Sequence, residues 1–171
     1  MKFLNIFSKF YKFFEKIREK LKEIEEDERI ILEEEVAEVL KGIFIDMGFR
    51  VENVEIQKLL EPYIKPDIII YVGKNDHRFV IVVNRYKICN VLDLQTYINF
   101  TLSAVKILRE KGFETIGIVI NQYRKFDKLS RKYLEEEKEK LREYGIYVTT
   151  WETLRKEKEK VKEILKELLQ I

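Results

Sequence analysis

Two apolar runs near the middle of the chain constrain the fold more than any other feature. "PDIIIYV" from Pro66 and "RFVIVVNR" from Arg78 are continuous in β-branched residues, with "GKND" between them. A strand with one wet face alternates apolar and polar side chains, so an unbroken run needs cover on both faces. The short connection carries turn chemistry. The pair predicts a β-hairpin in the interior of a sheet, and the rest of the chain must supply helices above and below it.

The remaining sequence offers those helices. Phe3, Phe7, Phe10, Phe14, Ile17, Leu21 and Ile24 step by four and three, which predicts a long helix over 3–26 with a heptad seam. A second helix is expected over 29–47 on the stripe Val36, Val39, Leu40, Ile43 and Met47, ended by Gly48. "FRVENVEI" from Phe49 alternates as a strand. Residues 92–111 read as a helix closed by Gly112, "TIGIVIN" from Thr115 as a buried strand, 128–143 as one charged helix, and "IYVTT" as a short fifth strand. A last helix is expected from near Thr149, where Thr149 and Glu152 have capping-box spacing, to the end of the chain. The order α-α-β-β-β-α-β-α-β-α indicates an α/β fold: a mixed five-stranded sheet flanked by helices, plus an extra N-terminal helix. Residues 1–27 form that aromatic amphipathic helix and 28–171 the main domain.

Composition adds boundaries rather than a function. The 171 residues suit one domain with a proper core, and 46% hydrophobic with 37% charged is a globular balance. Lys and Arg number 33 against 31 Asp and Glu, so only local clustering can speak for nucleic acid. The single cysteine, Cys89, excludes a disulfide framework and a Cys-based zinc site, and it reads as packing. A reducing, cytoplasmic setting fits. Lys2, Lys9 and Lys12 interrupt the apolar N-terminus, which reads as neither signal peptide nor spanning helix. Abundant Glu and Lys with scarce Gln, Met and Cys suit a heat-loving (thermophile) source.

Pro66-Asp67 ahead of Ile68-Ile69-Ile70, "MGFRVE" before it and "YGIYVTTWETL" near the end, in the order αβββαβ, resemble the PD-(D/E)XK, restriction-endonuclease-like nuclease superfamily over roughly Ile30 to Thr150. The resemblance implies an Asp at the start of the second strand, here Asp67, and a Glu-x-Lys pair on the third. It also implies an acid on the preceding helix, for which Glu33 and Glu34 are placed. Two carboxylates facing one way would share a Mg2+ or Mn2+ ion that polarises a phosphodiester and helps make hydroxide. This chain departs from that pattern. The third strand offers Val83-Asn84-Arg85, or Arg85-Tyr86-Lys87, or Asn84-Arg85-Tyr86, and no register restores an acid. Arginine stays protonated and cannot serve as a base.

Asp67, Arg85, Lys87 and Glu33 are therefore the candidate catalytic positions, vestigial or active. Asp67 and Glu33 are the candidate metal ligands, with Asp93 as a further acid if carboxylates have migrated. No cofactor is expected unless the enzyme is active. Arg85 should either pair with Asp67 or face a phosphate. Asp93 otherwise reads as an N-cap, Gln95 with Tyr97 or Asn99 faintly matches a family motif, and His77 reads as an exposed turn residue. The segment "NQYRKFDKLSRKY" supplies Tyr123, Arg124, Lys125, Lys128, Arg131 and Lys132, with Phe126 and Tyr133 interleaved, as candidate DNA or RNA contacts. An ordinary solubilising loop is the plainer alternative.

Three expectations follow. The chain is a degenerate nuclease-like protein that binds nucleic acid or assists a nucleic-acid enzyme, an active nuclease with displaced carboxylates, or a dimerising scaffold or membrane-surface protein. Residues 1–22 carry seven basic and two acidic side chains. The helix over 3–24 would pack on its own domain, pair with a second copy, or lie on a membrane surface.

Overall fold

The computed structural model describes residues 2–28 and 31–171, with side chains over 5–25 and 31–171. The chain divides into two units, 1–30 and 31–171. The described residues of the first, 2–28, form one helix, α1 (Lys2–Glu28). Its apolar side chains Ile6, Phe7, Phe10, Tyr11, Phe13, Phe14, Ile17, Leu21 and Ile24 are all exposed. The side chains of Phe3 and Leu4 lie outside the described residues.

The second unit runs α2 (Glu33–Asp46), β1 (Arg50–Ile56), β2 (Ile68–Lys74), β3 (His77–Tyr86), α3 (Val91–Glu110), β4 (Glu114–Asn121), α4 (Lys128–Glu136), α5 (Lys138–Tyr144), β5 (Ile146–Thr150), α6 (Trp151–Lys156) and α7 (Lys158–Leu169). The strands lie in the order β1-β2-β3-β4-β5. The first three pair antiparallel, and β3, β4 and β5 pair parallel. The expected mixed sheet is present. At the hairpin turn Asn75 takes a left-handed backbone at φ 55, which asparagine tolerates.

Alternation along the buried strands sorts the core into two. Ile68, Ile70, Ile81, Val83, Ile116 and Ile118 face α2, α6 and α7 through Leu40, Phe44, Leu154 and Leu165. Ile69, Val80, Val82 and Val119 face α3 and α5 through Leu94, Ile98, Val105 and Leu141. This explains the unbroken apolar runs: successive side chains point to opposite faces, and each face has its own helices.

Several boundaries differ from the sequence reading. The second helix starts at Glu33, and the expected start at 29 and 30 lies outside the described residues. The charged helix breaks at Glu137 and the last helix at Glu157, where ψ of 49 interrupts the helical backbone. The cap of α6 is Thr150, whose hydroxyl accepts from the Thr153 N–H at 3.1 Å; Thr149 is the buried strand residue before it. No helix among the described residues is long and apolar enough to cross a membrane.

Candidate functional site

The parallel half of the sheet decides where the polar residues gather. The C-terminal ends of β1, β3, β4 and β5 and the start of β2 all lie at one end, because β1 and β3 run opposite to β2 and alongside β4 and β5. That end of an open α/β sheet is where ligands bind. The start of α2, the loop between β1 and β2 and the segment after β4 meet there.

Four side chains converge at this end. Asp67 precedes β2, and its Oδ2 accepts the backbone N–H of Arg85 at 2.8 Å. The Arg85 guanidinium reaches the other way and pairs with Glu33 Oε1 at 3.0 Å. Gln57 bridges the two acids, donating its amide to Glu33 Oε1 at 2.9 Å and to Asp67 Oδ1 at 3.2 Å. Gln57 can do this because its backbone is left-handed, at φ 56, with its N–H held by the Asp67 carbonyl at 2.9 Å. Glu33 and Arg85 each keep 19% of their side-chain exposure, so the pair is mostly withdrawn from water. Asn84, buried beside them, accepts the Asp67 N–H at 2.9 Å and donates to Thr101 on α3 at 2.8 Å.

The electrostatics of the two acids diverge. Burial pushes the Asp67 carboxyl above its usual range, helped by the charge of Glu33 and opposed by the N–H and guanidinium of Arg85. Burial also pushes Glu33 up. Its backbone hydrogen bond, the Arg85 guanidinium and the Gln57 amide together outweigh burial and hold it below the ordinary glutamate value.

The ion pair expected between Arg85 and Asp67 is thus made with Glu33 instead. The register explains it. Ile68 pairs with Val83, so Asp67 sits opposite Asn84 and meets the backbone of Arg85, while the Arg85 side chain follows Val83 to the α2 face. Val83 is fully buried in the core. Lys87 is exposed beyond the end of β3. Asp93 does not join the cluster. It stands in the first turn of α3, accepts the Cys89 N–H at 3.1 Å and receives its own cap from Asn90, so Asn90 is the N-cap.

These donors do not fit a divalent cation. Glu33 Oε1 already takes a guanidinium and an amide, both Asp67 oxygens accept N–H groups, and Arg85 brings its own positive charge. Among the described residues no group of three or more His, Cys, Asp or Glu side chains is arranged to hold a metal ion. One Arg85 donor, Nε, is buried with no hydrogen-bond partner among the described residues.

The basic segment leaves β4 at the same end. Lys125, Lys128, Arg131 and Lys132 are exposed. Arg124 is partly buried, with Nε 3.9 Å from Glu152. Phe126 and Tyr133, expected to interleave as stacking platforms, instead pack against the core on the α3 side. Tyr123 is half-buried, and its hydroxyl lies 4.0 Å from the sulfur of Cys89, which is itself exposed rather than packed. His77 is exposed at the start of β3, far from this end. Tyr97 stacks on Tyr86, with ring centroids 3.7 Å apart and planes within 5°. Next to the polar cluster opens a cavity of about 320 Å³ walled by Tyr63, Lys65, Asn84, Tyr86 and Phe100.

Sequence reasoning missed three residues. Gln57 carried no signal, being a loop glutamine in an unusual backbone conformation. Asn84 was visible only as the middle residue of a degenerate motif. Asn121, fully buried, accepts from the Ile88 and Tyr123 N–H groups at 3.2 and 3.1 Å and so joins the exit of β3 to the basic segment. An asparagine closing an apolar strand was the available hint.

No family model matches the chain, and no curated protein does. Among solved structures, the restriction endonuclease FokI bound to DNA is similar over 74% of this chain, with 14% identity and a TM-score of 0.36. The chain spans 24% of that protein's length, and a likeness this distant fixes neither fold family nor function.

Proposed function

We propose that this chain is a catalytically silent relative of the PD-(D/E)XK nucleases, one that binds nucleic acid or assists a nucleic-acid enzyme. The observation that carries the reading is the Glu33–Arg85 pair beside Asp67. A metal-dependent nuclease would set a second carboxylate on β3 and a divalent ion between the acids. Here β3 supplies a buried valine and an arginine whose charge meets the helix acid in place of an ion. The element order and the Asp at the head of β2 support the family; the donor set argues against hydrolysis.

Nucleic-acid binding is supported by the cations placed around this same end. Lys87, Lys125, Lys128, Arg131 and Lys132 are exposed there, as phosphate contacts would need to be. The adjoining cavity, with aromatic walls and Lys65, has the makings of a stacking site for an unpaired base.

The test has two arms. Purified protein with Mg2+ or Mn2+ should leave single- and double-stranded DNA and RNA uncut. Metal-dependent cleavage that disappears in Asp67→Ala would overturn the silent reading. Binding should weaken steeply with salt, and the triple reversal Lys125→Glu, Lys128→Glu, Arg131→Glu should cost about tenfold or more in affinity, from three lost phosphate contacts. Unchanged affinity would remove the basic segment from the interface.

A further inference from the structure

The loop between β1 and β2 holds a strained backbone at a side chain the fold does not use. Its foot is fixed: the Gln57 N–H meets the Asp67 carbonyl at 2.9 Å, and the Gln57 amide bridges Glu33 and Asp67. Its body is fixed too. Leu60 and Ile64 pack on the α3 side of the core, and the Leu60 N–H reaches the Ile64 carbonyl at 3.0 Å. Tyr63, between them, takes a left-handed backbone at φ 72 and leaves its side chain wholly in water. A bulky residue in that conformation is strained, and such strain gathers where ligands are gripped.

Tyr63 borders the cavity of about 320 Å³ beside the polar cluster. The loop lines it with Tyr63 and Lys65, β3 with Asn84 and Tyr86, and α3 with Phe100 and Ser103. Tyr86 is held by its stack on Tyr97 and makes a rigid wall. Phe100 is 57% exposed, a second ring left open to solvent. One cation, Lys65, lines the cavity and no acid does. Groups that could read the edge of a base are already committed. Asn84 gives its oxygen to the Asp67 N–H and its nitrogen to Thr101, and the Ser103 hydroxyl donates to the Asn99 carbonyl at 2.9 Å. What remains is stacking, which every base offers. The volume lies near the lower bound of small-molecule sites, about 300 Å³, so it suits one base and not a helix. In a duplex the bases are paired and stacked, out of reach of such a cavity unless extruded.

We infer that the cavity takes one unpaired base of a nucleic-acid strand against the Tyr63 and Phe100 rings, with Lys65 on the adjoining phosphate. The inference rests on the nucleic-acid reading above and adds the form of strand: unpaired bases are selected over paired ones, whatever their identity. The basic segment supplies phosphate contacts common to both. The Gln57 bridge gains a role, holding the foot of the loop that carries Tyr63 and Lys65.

The experiment measures fluorescence anisotropy with the full chain and three labelled duplexes, made in DNA and in RNA. One is fully paired, one carries a single bulged adenine, and one carries an abasic residue at the bulge. The two bulges have the same phosphates and differ by the base alone. In the DNA or the RNA set the adenine bulge should bind about tenfold more tightly than the other two, the worth of one base stacked on an aromatic side chain. The double variant Tyr63→Ala, Phe100→Ala, changed only at exposed positions, should bind the two bulges alike. Equal affinity of the wild type for all three overturns the inference and leaves the nucleic-acid reading standing. So does tighter binding to both bulges alike, which reports a bent backbone rather than a base. So does an adenine preference that survives in the double variant. Adenosine monophosphate that binds as tightly as the adenine bulge assigns the cavity to a free nucleotide and overturns it too. No binding to any duplex removes the nucleic-acid reading itself, and this inference with it.

Discussion

Two arginines at opposite ends of the sheet show how one side chain serves two different ends. Arg109, near the end of α3, spends its donors on main-chain carbonyls: Nε and Nη2 reach Thr115 O at 3.1 and 2.8 Å, and Nη2 reaches Tyr144 O at 3.0 Å. Burial lowers its pKa, and among the described residues no carboxylate pairs with it. It fastens α3 to the start of β4 and to the turn before β5. Arg85 donates to a carboxylate instead, stands near a second, and leaves Nε unanswered. Arg109 closes backbone gaps, as a structural arginine does. Arg85 balances charge at the polar end of the sheet, between two acids.

Substitution tests that contrast, the largest effect first. Arg85→Ala leaves Glu33 facing its neighbour Asp67 with no cation, and should destabilise the fold by about 3 kcal/mol, as breaking a mostly buried pair does. Arg109→Ala frees carbonyls that water can reach and should cost about 1–2 kcal/mol. Urea unfolding measures both, and the reverse order would break the comparison. Gly145→Ala sharpens it. Gly145 has φ of 72, and an added Cβ would come within 2.6 Å of Arg109 Nη2, so this change should cost about as much as Arg109→Ala through backbone strain and a displaced guanidinium.

The pH response separates the two acids on a smaller scale. The fold holds the Asp67 proton more tightly than the unfolded chain does. Its contribution is therefore present below the unfolded pKa and is lost as pH rises through the higher folded one. Glu33 behaves oppositely: its contribution is present above the unfolded pKa and is lost as pH falls through the depressed folded value. Carboxyl-carbon NMR titration should find Asp67 above and Glu33 below their ordinary positions, and Arg85→Ala should move Glu33 upward. An unmoved Glu33 would show that Arg85 does not hold it. The smallest effect belongs to Lys41–Glu38, an exposed pair on the outside of α2. Glu38→Ala should change stability by no more than about 0.5 kcal/mol.

Much of the architecture was legible in the sequence, and the reasons are physical. Unbroken β-branched runs demanded a covered hairpin, and the α2 stripe from Val36 to Ile43 demanded a sheet to lie on. Glu33, Asp67 and Arg85 were named from the family pattern, and the fold brings them together. Their pairing was not legible, because it depends on a register that only the assembled sheet fixes: opposing Asp67 to Asn84 sends the Arg85 side chain to the other acid. Gln57 was invisible for a related reason. Its role comes from a left-handed backbone that no local composition announces. Residues such as Phe126 and Tyr133 misled in the other direction. Aromatic spacing among lysines suggests base stacking, but both rings were needed to finish the core.

Asn121 carries a consequence beyond its own hydrogen bonds. One carboxamide oxygen serves the Ile88 and Tyr123 amides, and its nitrogen donates to Lys125 O at 3.4 Å. The strand exit and the start of the lysine-rich segment are therefore joined through this side chain, beside the Gln122 N–H that the Tyr86 carbonyl accepts at 2.8 Å. Trimming that one carboxamide would therefore release two stretches of chain together, the one that follows Arg85 and the one that carries Lys125.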